Sequence, residues 1–146
     1  MNVGNLCSRP PVSVPGNAPL SEVVRLMVQE RIGAIIVTDA PADQVVVLGI
    51  VTDRDIVQAQ LAHVADFSQL NSADTMSRDP LVLNERDDIA EALRRMRARG
   101  IRRAPVVTSS GALLGLVSTD DLLAQIAQEL NGLASIIARQ SQRMPA

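Results

Sequence analysis

The sequence contains no lysine, tryptophan or tyrosine, and one cysteine, one histidine and one phenylalanine among 146 residues. All fourteen basic residues are arginines, so the chain cannot supply a P-loop lysine, a lysine Schiff base or a Ser–Lys pair. The single cysteine, Cys7, excludes a disulfide framework and a cysteine zinc site. A Ser–His–Asp triad would depend on His63, which lies in the helix-like stretch AQLAHVADF without a nucleophilic partner. We therefore expect no enzyme, and a structural or surface role for His63.

Long apolar runs and a strong net charge are also missing. The longest apolar run, residues 45–51, is far shorter than the roughly 20 residues that cross a bilayer, and the N-terminus MNVGNLCSRPP has no signal core. A formal net charge of −2 creates no general attraction to nucleic acid or anionic membrane. These features predict a cytoplasmic globular protein without a membrane partner.

Two short stretches of the chain are nearly identical. Residues 7–14 read CSRPPVSV and residues 76–83 read MSRDPLVL, with Pro11 and Pro80 lying 69 positions apart. The helix-like segments PLSEVVRLMVQERIGAIIV and DIAEALRRMRARGIRRAPVV keep this offset. The chain is therefore a tandem repeat.

A second block recurs at a slightly shorter offset. GIVTDRDI at 49–56 matches GLVSTDDL at 115–122, which lies 66 positions later. The first copy must therefore carry three extra residues, and we place them in the stretch APADQ at 40–44, because insertions settle in surface turns.

Each copy predicts the element order β-α-β-β-α. A proline-led extended segment precedes an amphipathic helix, which Gly100 ends in the second copy. Two short strands follow, joined by a turn that carries Pro41 and Asp43 in the first copy, and a second helix begins at Thr52 or Ser118. The predicted strands cover residues 12–14, 34–38 and 45–51 in the first copy and 81–83, 104–107 and 113–117 in the second.

One copy alone has too little core to be stable, so the two sheets should pack against each other with pseudo-two-fold symmetry. The predicted fold class is α/β (α+β), with a C-terminal helix after the repeats. We place repeat 1 at residues 1–70, repeat 2 at 71–126, and a C-terminal helical extension and tail at 127–146.

Both copies contain the pattern Gly-apolar-x-Thr/Ser-x-x-Asp, which ends at Asp55 and Asp121. A strand delivers Thr52 or Ser118 to the start of a helix, and the carboxylate follows three positions later. One carboxylate can accept hydrogen bonds from both hydroxyls of a ribose, and the helix N-terminus favours a phosphate. The same spacing is typical of a capping box, in which the acid bonds back to the main chain. An Asp engaged in capping is a poorer ribose ligand, and the pattern alone leaves both interpretations open.

These motifs resemble the CBS (cystathionine β-synthase) domain. MSRDPLVL, MRARGIRRAPVV and GLVSTDDLL carry the resemblance in the second copy, and IGAIIVTD and GIVTDRDIV in the first. The chain is similar to a stand-alone bacterial CBS-domain pair with a C-terminal helical extension. The resemblance implies regulatory binding of AMP, ADP, ATP, NAD or S-adenosylmethionine in clefts between the repeats, with no catalysis and no required cofactor.

The resemblance implies a ligand site made from both motifs and from the strands that face them. The predicted ligand-binding residues are Thr52, Asp55, Ser118, Asp121, Arg102, Arg103, Ala104, Pro105, Ile32, Gly33, Ala34, Val12, Ser13, Leu81 and Val82.

The two predicted clefts differ in charge. The strand 101–106 of the second copy carries two adjacent arginines, a pair that the resemblance assigns to ligand phosphate, whereas the strand 32–37 is uncharged. Taking each motif with the strand of its own copy, we expect the Asp121 cleft to be the better nucleotide site. Asp120 next to Asp121 disfavours an anion and Arg54 next to Asp55 favours one, which opposes this ranking.

A dense run of arginines lies in the second copy, which raises the question of nucleic-acid binding. Acidic neighbours balance part of this charge, and Phe67 is the only aromatic side chain available for base stacking. We therefore expect a solvated helix face or contacts to phosphate or a partner protein. The arginines concerned are Arg94, Arg95, Arg97, Arg99, Arg102 and Arg103.

The C-terminal segment carries an apolar stripe, defined as Leu123, Ile126, Leu130, Leu133 and Ile137. The residues alternate three and four apart, the seam spacing of a paired helix. Asn131-Gly132 interrupts the seam and predicts a kink or break. The stripe either docks on its own domain or mediates self-association, and we expect a homodimer, as the resemblance and the commonness of two-fold oligomers both indicate.

Two functions remain open at this level. The first is a sensor that binds an adenosine-type ligand and alters contact with an unknown target protein. The second is a ligand-free dimeric scaffold of the same fold, in which both Asp residues only cap helices.

Overall fold

A computed structural model describes residues 1–39 and 45–143, so the predicted insertion at 40–44, with Pro41 and Asp43, lies outside the described residues. The order β-α-β-β-α is found in both copies. The strands are β1 Ser13–Pro15, β2 Ala34–Asp39, β3 Val46–Thr52, β4 Ser77–Arg78, β5 Leu83–Asn84, β6 Arg103–Val107 and β7 Leu113–Ser118. The helices are α1 Leu20–Glu30, α2 Asp53–Ala62, α3 Ser72–Thr75, α4 Ile89–Arg99 and α5 Thr119–Arg143, with 3-10 turns at Val3–Asn5 and Phe67–Gln69.

The amphipathic helices α1 and α4 occupy equivalent positions in the two copies. Each buries an apolar face and ends at a residue in the left-handed backbone region, Arg31 with φ 54° and Gly100 with φ 62°. The Gly100 N–H donates to the carbonyls of Arg97 and Met96. Glycine adopts this conformation without a Cβ penalty, which confirms the predicted helix end in the second copy.

The strands form two sheets. The first sheet has the order β1-β2-β3-β4, and the second has the order β5-β6-β7. In both sheets the first strand runs parallel to the next one, and the remaining pairs are antiparallel. Each sheet packs its own helices over a separate apolar core, centred on Ile35 and Val51 in the first and on Val106 and Val117 in the second.

The two copies exchange their leading segments. Val3 and Cys7 pack in the core of the second copy, whereas Leu70 and Met76 pack against the core of the first. The N–H groups of Val3 and Gly4 accordingly donate to carbonyls of residues 87 and 85, at 2.9 Å each. The N-terminal residues therefore belong to the second structural unit, although they open the first repeat in the sequence.

The exchange extends to the sheet edges. Ser8 forms an antiparallel bridge with Leu116 of β7, and Ser77 of β4 pairs in the same way with Ile50 of β3. The duplicated phrase CSR/MSR is thus an edge strand that each copy adds to the sheet of the other. Both predicted repeats depend on this pairing, which explains why the phrase occurs twice.

Two glycines of the repeated motif allow these edge strands to approach the sheets closely. A Cβ atom on Gly49 would lie 2.5 Å from the Ser77 carbonyl oxygen, and one on Gly115 would lie 2.3 Å from that of Ser8. Such distances are too short for any side chain, so the motif requires glycine for the close approach of another backbone.

The C-terminal helix α5 differs from the prediction. It continues through Asn131 and Gly132 as one helix of 25 residues, so a break at this point was the wrong alternative. Leu122 and Gln125 anchor its first turns, whereas its residues from 127 to 143 are exposed. A single glycine costs a helix only about 1 kcal/mol, which the good helix formers around it offset.

The close approach at Gly115 leads to a stability prediction. We expect Gly115→Ala to lower the free energy of unfolding by about 1–3 kcal/mol, because the added methyl must displace the Ser8 edge strand. Gly132→Ala is the matched control, since a Cβ atom there meets no atom within 4 Å, and it should raise the stability by up to about 1 kcal/mol. Urea unfolding measures both, and a Gly115→Ala protein as stable as wild type would contradict the exchange.

Candidate functional site

A cleft of about 200 Å³ lies between the two repeats. Its floor is the segment 8–12, which leaves the β7 edge at Ser8 and joins β2, where the Val12 carbonyl accepts from the Ile36 N–H at 3.2 Å. One wall comes from the first repeat and the other from the second. The lining residues are Ser8, Pro10, Pro11, Val12, Ile32, Gly33, Ala34, Ile36, Arg103, Leu116, Ser118 and Asp121.

The acidic end of the cleft is built by the junction of β7 and α5. Ser118 ends the strand and caps the helix, and its N–H and hydroxyl both donate to Asp121 Oδ2, at 2.8 and 2.7 Å. The Asp121 N–H donates in return to Ser118 Oγ at 3.2 Å. This reciprocal pairing is a capping box, so the capping interpretation of the motif is correct for one carboxylate oxygen.

The other carboxylate oxygen stays available. Among the described residues, Asp121 Oδ1 accepts no hydrogen bond, while its half-buried carboxylate lines the cleft. Thr52 and Asp55 repeat the same geometry, with donor–acceptor distances of 2.8, 2.9 and 3.2 Å, and again engage Oδ2. Capping and ligand binding therefore do not exclude each other, because each uses a different oxygen of the carboxylate.

A third capping box shows what the geometry alone means. Asn71 and Asp74 form the same reciprocal pair at the start of α3, at 2.9 and 3.0 Å. Asp74 does not line the cleft between the repeats. The box itself is thus ordinary helix chemistry, and only its location distinguishes Asp121 as a candidate ligand.

The two adjacent arginines at the start of β6, Arg102 just before the strand and Arg103 as its first residue, lie in different environments. Arg103 lines the cleft, and within the described part of the chain its guanidinium makes no hydrogen bond or ion pair. The Arg102 guanidinium instead lies 3.8 Å from the Asp120 carboxylate at the exposed surface. One arginine of the predicted pair therefore reaches the cleft of Asp121.

The prediction took each motif with the strand of its own copy, and the Asp121 cleft contains Arg103 of that strand together with residues of the first copy. Asp121 of the second copy faces Ile32, Gly33 and Ala34 of the first copy across the cleft. The segment 8–12 runs from the β7 edge to β2 and brings these residues of the first copy to the cleft. The start of α5 also remains bonded to its own copy, where the Thr119 N–H donates to the Arg102 carbonyl at 2.9 Å. The prediction that the Asp121 cleft is the better nucleotide site depended on the arginine pair of the strand 101–106. It now rests on Arg103 alone.

The remaining predicted site residues lie elsewhere. Ser13 is exposed on β1, Leu81 is buried in the second core, and Val82 is half-buried, with its carbonyl accepting from Arg95. Ala104 and Pro105 are buried in β6. Thr52 and Asp55 lie at the start of α2, outside the Asp121 cleft.

Asp55 borders a different cavity, of about 220 Å³, to which the second repeat contributes Asp74 and Thr75. Its other lining residues are Gln58, Ala59, Ala62, His63, Leu70, Asp74 and Thr75.

The sequence reasoning missed five residues that line the cleft, namely Ser8, Pro10, Pro11, Ile36 and Leu116. The phrase at 7–14, which recurs at 76–83, was the feature of the sequence that could have predicted these residues. A proline that recurs at the same position beside an edge strand fixes how the chain crosses between two sheets.

His63 and the arginine run have surface environments. His63 Nδ1 lies 3.8 Å from Asp66, and both side chains are about half exposed. The helix α4 arginines pair with acids, as Arg94 does with Glu91 and Arg95 with Asp87. These pairs support the prediction of a solvated, charge-balanced face. In residues 1–39 and 45–143 no group of three or more His, Cys, Asp or Glu side chains could hold a metal ion.

Comparison with known families identifies the chain. The CBS domain profile matches residues 3–62 and again residues 69–128, so the chain belongs to the CBS domain family, with two such domains in tandem.

Two curated relatives are uncharacterised archaeal proteins. A Methanopyrus kandleri protein is 26% identical over 84% of this chain, and a Thermofilum pendens protein is 34% identical over 82%. The chain spans 61% and 37% of the length of these two relatives.

Solved structures share the fold. The CBS domain pair of protein MJ0100, in complex with 5′-methylthioadenosine and S-adenosyl-L-methionine, has a TM-score of 0.74 at 20% identity and covers 88% of this chain and 98% of that chain. CBSX2 in complex with AMP scores 0.71 at 20% identity, covering 88% and 97%. The CBS domain of a bacterial CNNM/CorC Mg²⁺ transporter in complex with ATP scores 0.74 at 21% identity, covering 87% of both chains. These likenesses confirm the predicted α+β architecture of a CBS domain pair with a C-terminal helix.

The capping bonds of Asp121 generate a test in the absence of ligand. We expect Asp121→Ala to lower the free energy of unfolding by about 1 kcal/mol, because the Ser118 N–H loses its acceptor. Asp121→Asn retains an acceptor oxygen at the same position and should lose less than half as much. Urea denaturation compares the three proteins, and equal losses for Ala and Asn would contradict the hydrogen-bond explanation.

Proposed function

We propose that the protein is a regulatory module that binds an adenosine-containing ligand in the cleft between its two CBS domains. The observation that carries this proposal is the half-used carboxylate of Asp121, a residue that lines an open cleft built by both repeats and engages only its Oδ2 in capping. Related CBS structures with adenosine-type ligands support the class of ligand.

Each part of such a ligand has a matching surface. Asp121 Oδ1 accepts from the ribose hydroxyls, a charge-assisted contact that selects a cis-diol. Apolar side chains from the segment 8–12, together with Ile36 and Leu116, form a surface for the flat adenine ring. Arg103 lies beside Ser118 in the β6–β7 register, where its unpaired guanidinium meets a phosphate.

The role is regulatory and not catalytic, because the cleft offers recognition groups without a nucleophile–base pair. A ligand in the cleft contacts both repeats, and it shifts their relative pose only if it binds one pose more tightly than the other. The helix α5 carries Asp121 in its first turn and the exposed stripe further on, so it is the element that transmits such a shift to an unidentified target protein. We place this function in the cytoplasm.

Because the chain is a tandem repeat, the first cleft has an equivalent position in the other copy, which is a second candidate cleft. Residues 79–82 cross from the β4 edge to β5, as residues 8–12 cross between sheets in the first cleft. The corresponding ligand groups are Thr52 and Asp55 from the first copy, facing the strand of the second. The facing residues of this second site are Leu81, Val82, Arg102, Ala104 and Pro105.

Calorimetric titration tests the proposed ligand class. We expect AMP or S-adenosylmethionine to bind the wild-type protein, and Asp121→Asn to weaken the binding about tenfold or more, because the neutral amide replaces a charged acceptor. Asp74→Asn is the matched control, since it alters a capping box of the same geometry outside the cleft. Adenosine ligands that all fail to bind, or that bind equally to Asp121→Asn, would overturn the proposal.

We further propose that the protein is a homodimer that pairs through α5. Leu130 and Leu133 are 61% and 60% exposed, so the stripe does not dock on its own domain, the other alternative that the sequence left open. Its three-and-four spacing is that of a helix seam, which a second α5 matches. The same stripe is the observation that favours a ligand-free scaffold, should the titration fail.

Light scattering tests the dimer. We expect Leu130→Glu together with Leu133→Glu to yield a monomer, since two charges in the seam are costly to bury. The control is Gln128→Glu with Ser135→Glu, which adds the same charge to exposed positions of α5 outside the stripe. A seam variant that keeps the dimer mass would place the interface elsewhere.

A further inference from the structure

The wall of the Asp121 cleft at Gly33 carries one positive and one negative charge. A Cβ atom at this position would lie 3.0 Å from Asp53 Oδ2 and 3.4 Å from Arg103 Nη2. The carboxylate and the guanidinium therefore flank the same point of the wall. Gly33 leaves the space between them open, since it has no side chain to fill it.

The backbone holds Asp53 in this place. Its N–H donates to the Gly33 carbonyl at 3.0 Å, and its Oδ1 accepts from the Arg54 N–H at 2.9 Å. Oδ2 remains directed toward the Gly33 wall, because Oδ1 is the oxygen engaged by the main chain. The acid belongs to the first repeat and Arg103 to the second, so this juxtaposition exists only in the folded pair.

The positive charge of the cleft can balance at most one anionic group of a ligand. Arg103 is the cation among its lining residues and Asp121 is an anion. Asp53 is not itself a lining residue, but its carboxylate adds a second negative charge beside Gly33, which is one. Arg102, which would supply a further positive charge, lies beside Asp120 and outside the lining. A single phosphate can meet Arg103, whereas the next phosphate, one bridging oxygen away, meets the Asp53 carboxylate.

We propose that Asp53 is a specificity-determining residue that restricts this cleft to adenosine ligands with one phosphate or none, and excludes ADP and ATP. This inference rests on the proposed function of the cleft. In water, each pair of like charges about 6 Å apart weakens ligand binding about threefold, and a less solvated pair weakens it more. A triphosphate carries several such charges, so the cleft should bind the monophosphate clearly more tightly.

Calorimetry with adenosine, AMP and ATP tests the inference, in EDTA and at one fixed ionic strength, so that divalent cations do not mask the charge of ATP. We expect wild-type protein to bind AMP about tenfold or more tightly than ATP. Asp53→Asn should narrow this ratio by about threefold or more, chiefly by tightening ATP. Asp66→Asn, which removes an exposed acid outside the cleft, should leave the ratio unchanged.

A second variant separates the phosphate contact from the ribose contact. Arg103→Gln should weaken AMP about tenfold while leaving adenosine unchanged, because adenosine has no phosphate. ATP binding as tight as AMP in the wild type, or an unchanged ratio in Asp53→Asn, would overturn the specificity role of Asp53. Absence of adenosine and AMP binding, or Asp121→Asn binding both as wild type, would instead overturn the proposed function and this inference with it.

Discussion

The pairing of each leading segment with the other repeat is the constraint on which the structure depends. Ser8 closes the β7 edge of the second sheet, and Ser77 closes the β3 edge of the first. Both contacts bring one backbone against a glycine of another, at distances that no side chain permits. An unpaired sheet edge exposes main-chain hydrogen-bonding groups, so each repeat completes the other and neither is a finished unit by itself.

The same exchange creates the cleft. The segment 8–12 must travel from the sheet of one repeat to the sheet of the other, and it forms the floor on the way. It also determines that Asp121 faces Ile32–Ala34 of the opposite copy. Stability and ligand recognition thus share one cause, since removal of the edge pairing would remove the floor of the site as well.

Capping and binding share one carboxylate without conflict. Asp121 Oδ2 holds the start of α5, and these bonds fix the rotamer of a side chain that lines the cleft. A side chain whose rotamer is fixed by its own helix loses little entropy when it meets a ligand. The opposite charges of Arg103 and Asp53 beside Gly33 are the basis for the proposed selection by number of phosphates.

The sequence by itself determined the duplication, the element order, the helix end at Gly100 and the Gly-x-x-Thr/Ser-x-x-Asp motifs, because these depend on periodicity and local backbone chemistry. Only the tertiary structure decided which strand faces which motif, that α5 runs unbroken through Asn131 and Gly132, and that Asp53 lies beside Arg103. The first and last of these features join residues far apart in the chain, which the exchanged segment brings to one cleft. Local spacing reports on a helix or a turn, whereas the pairing of two sheets is set by packing across the whole molecule.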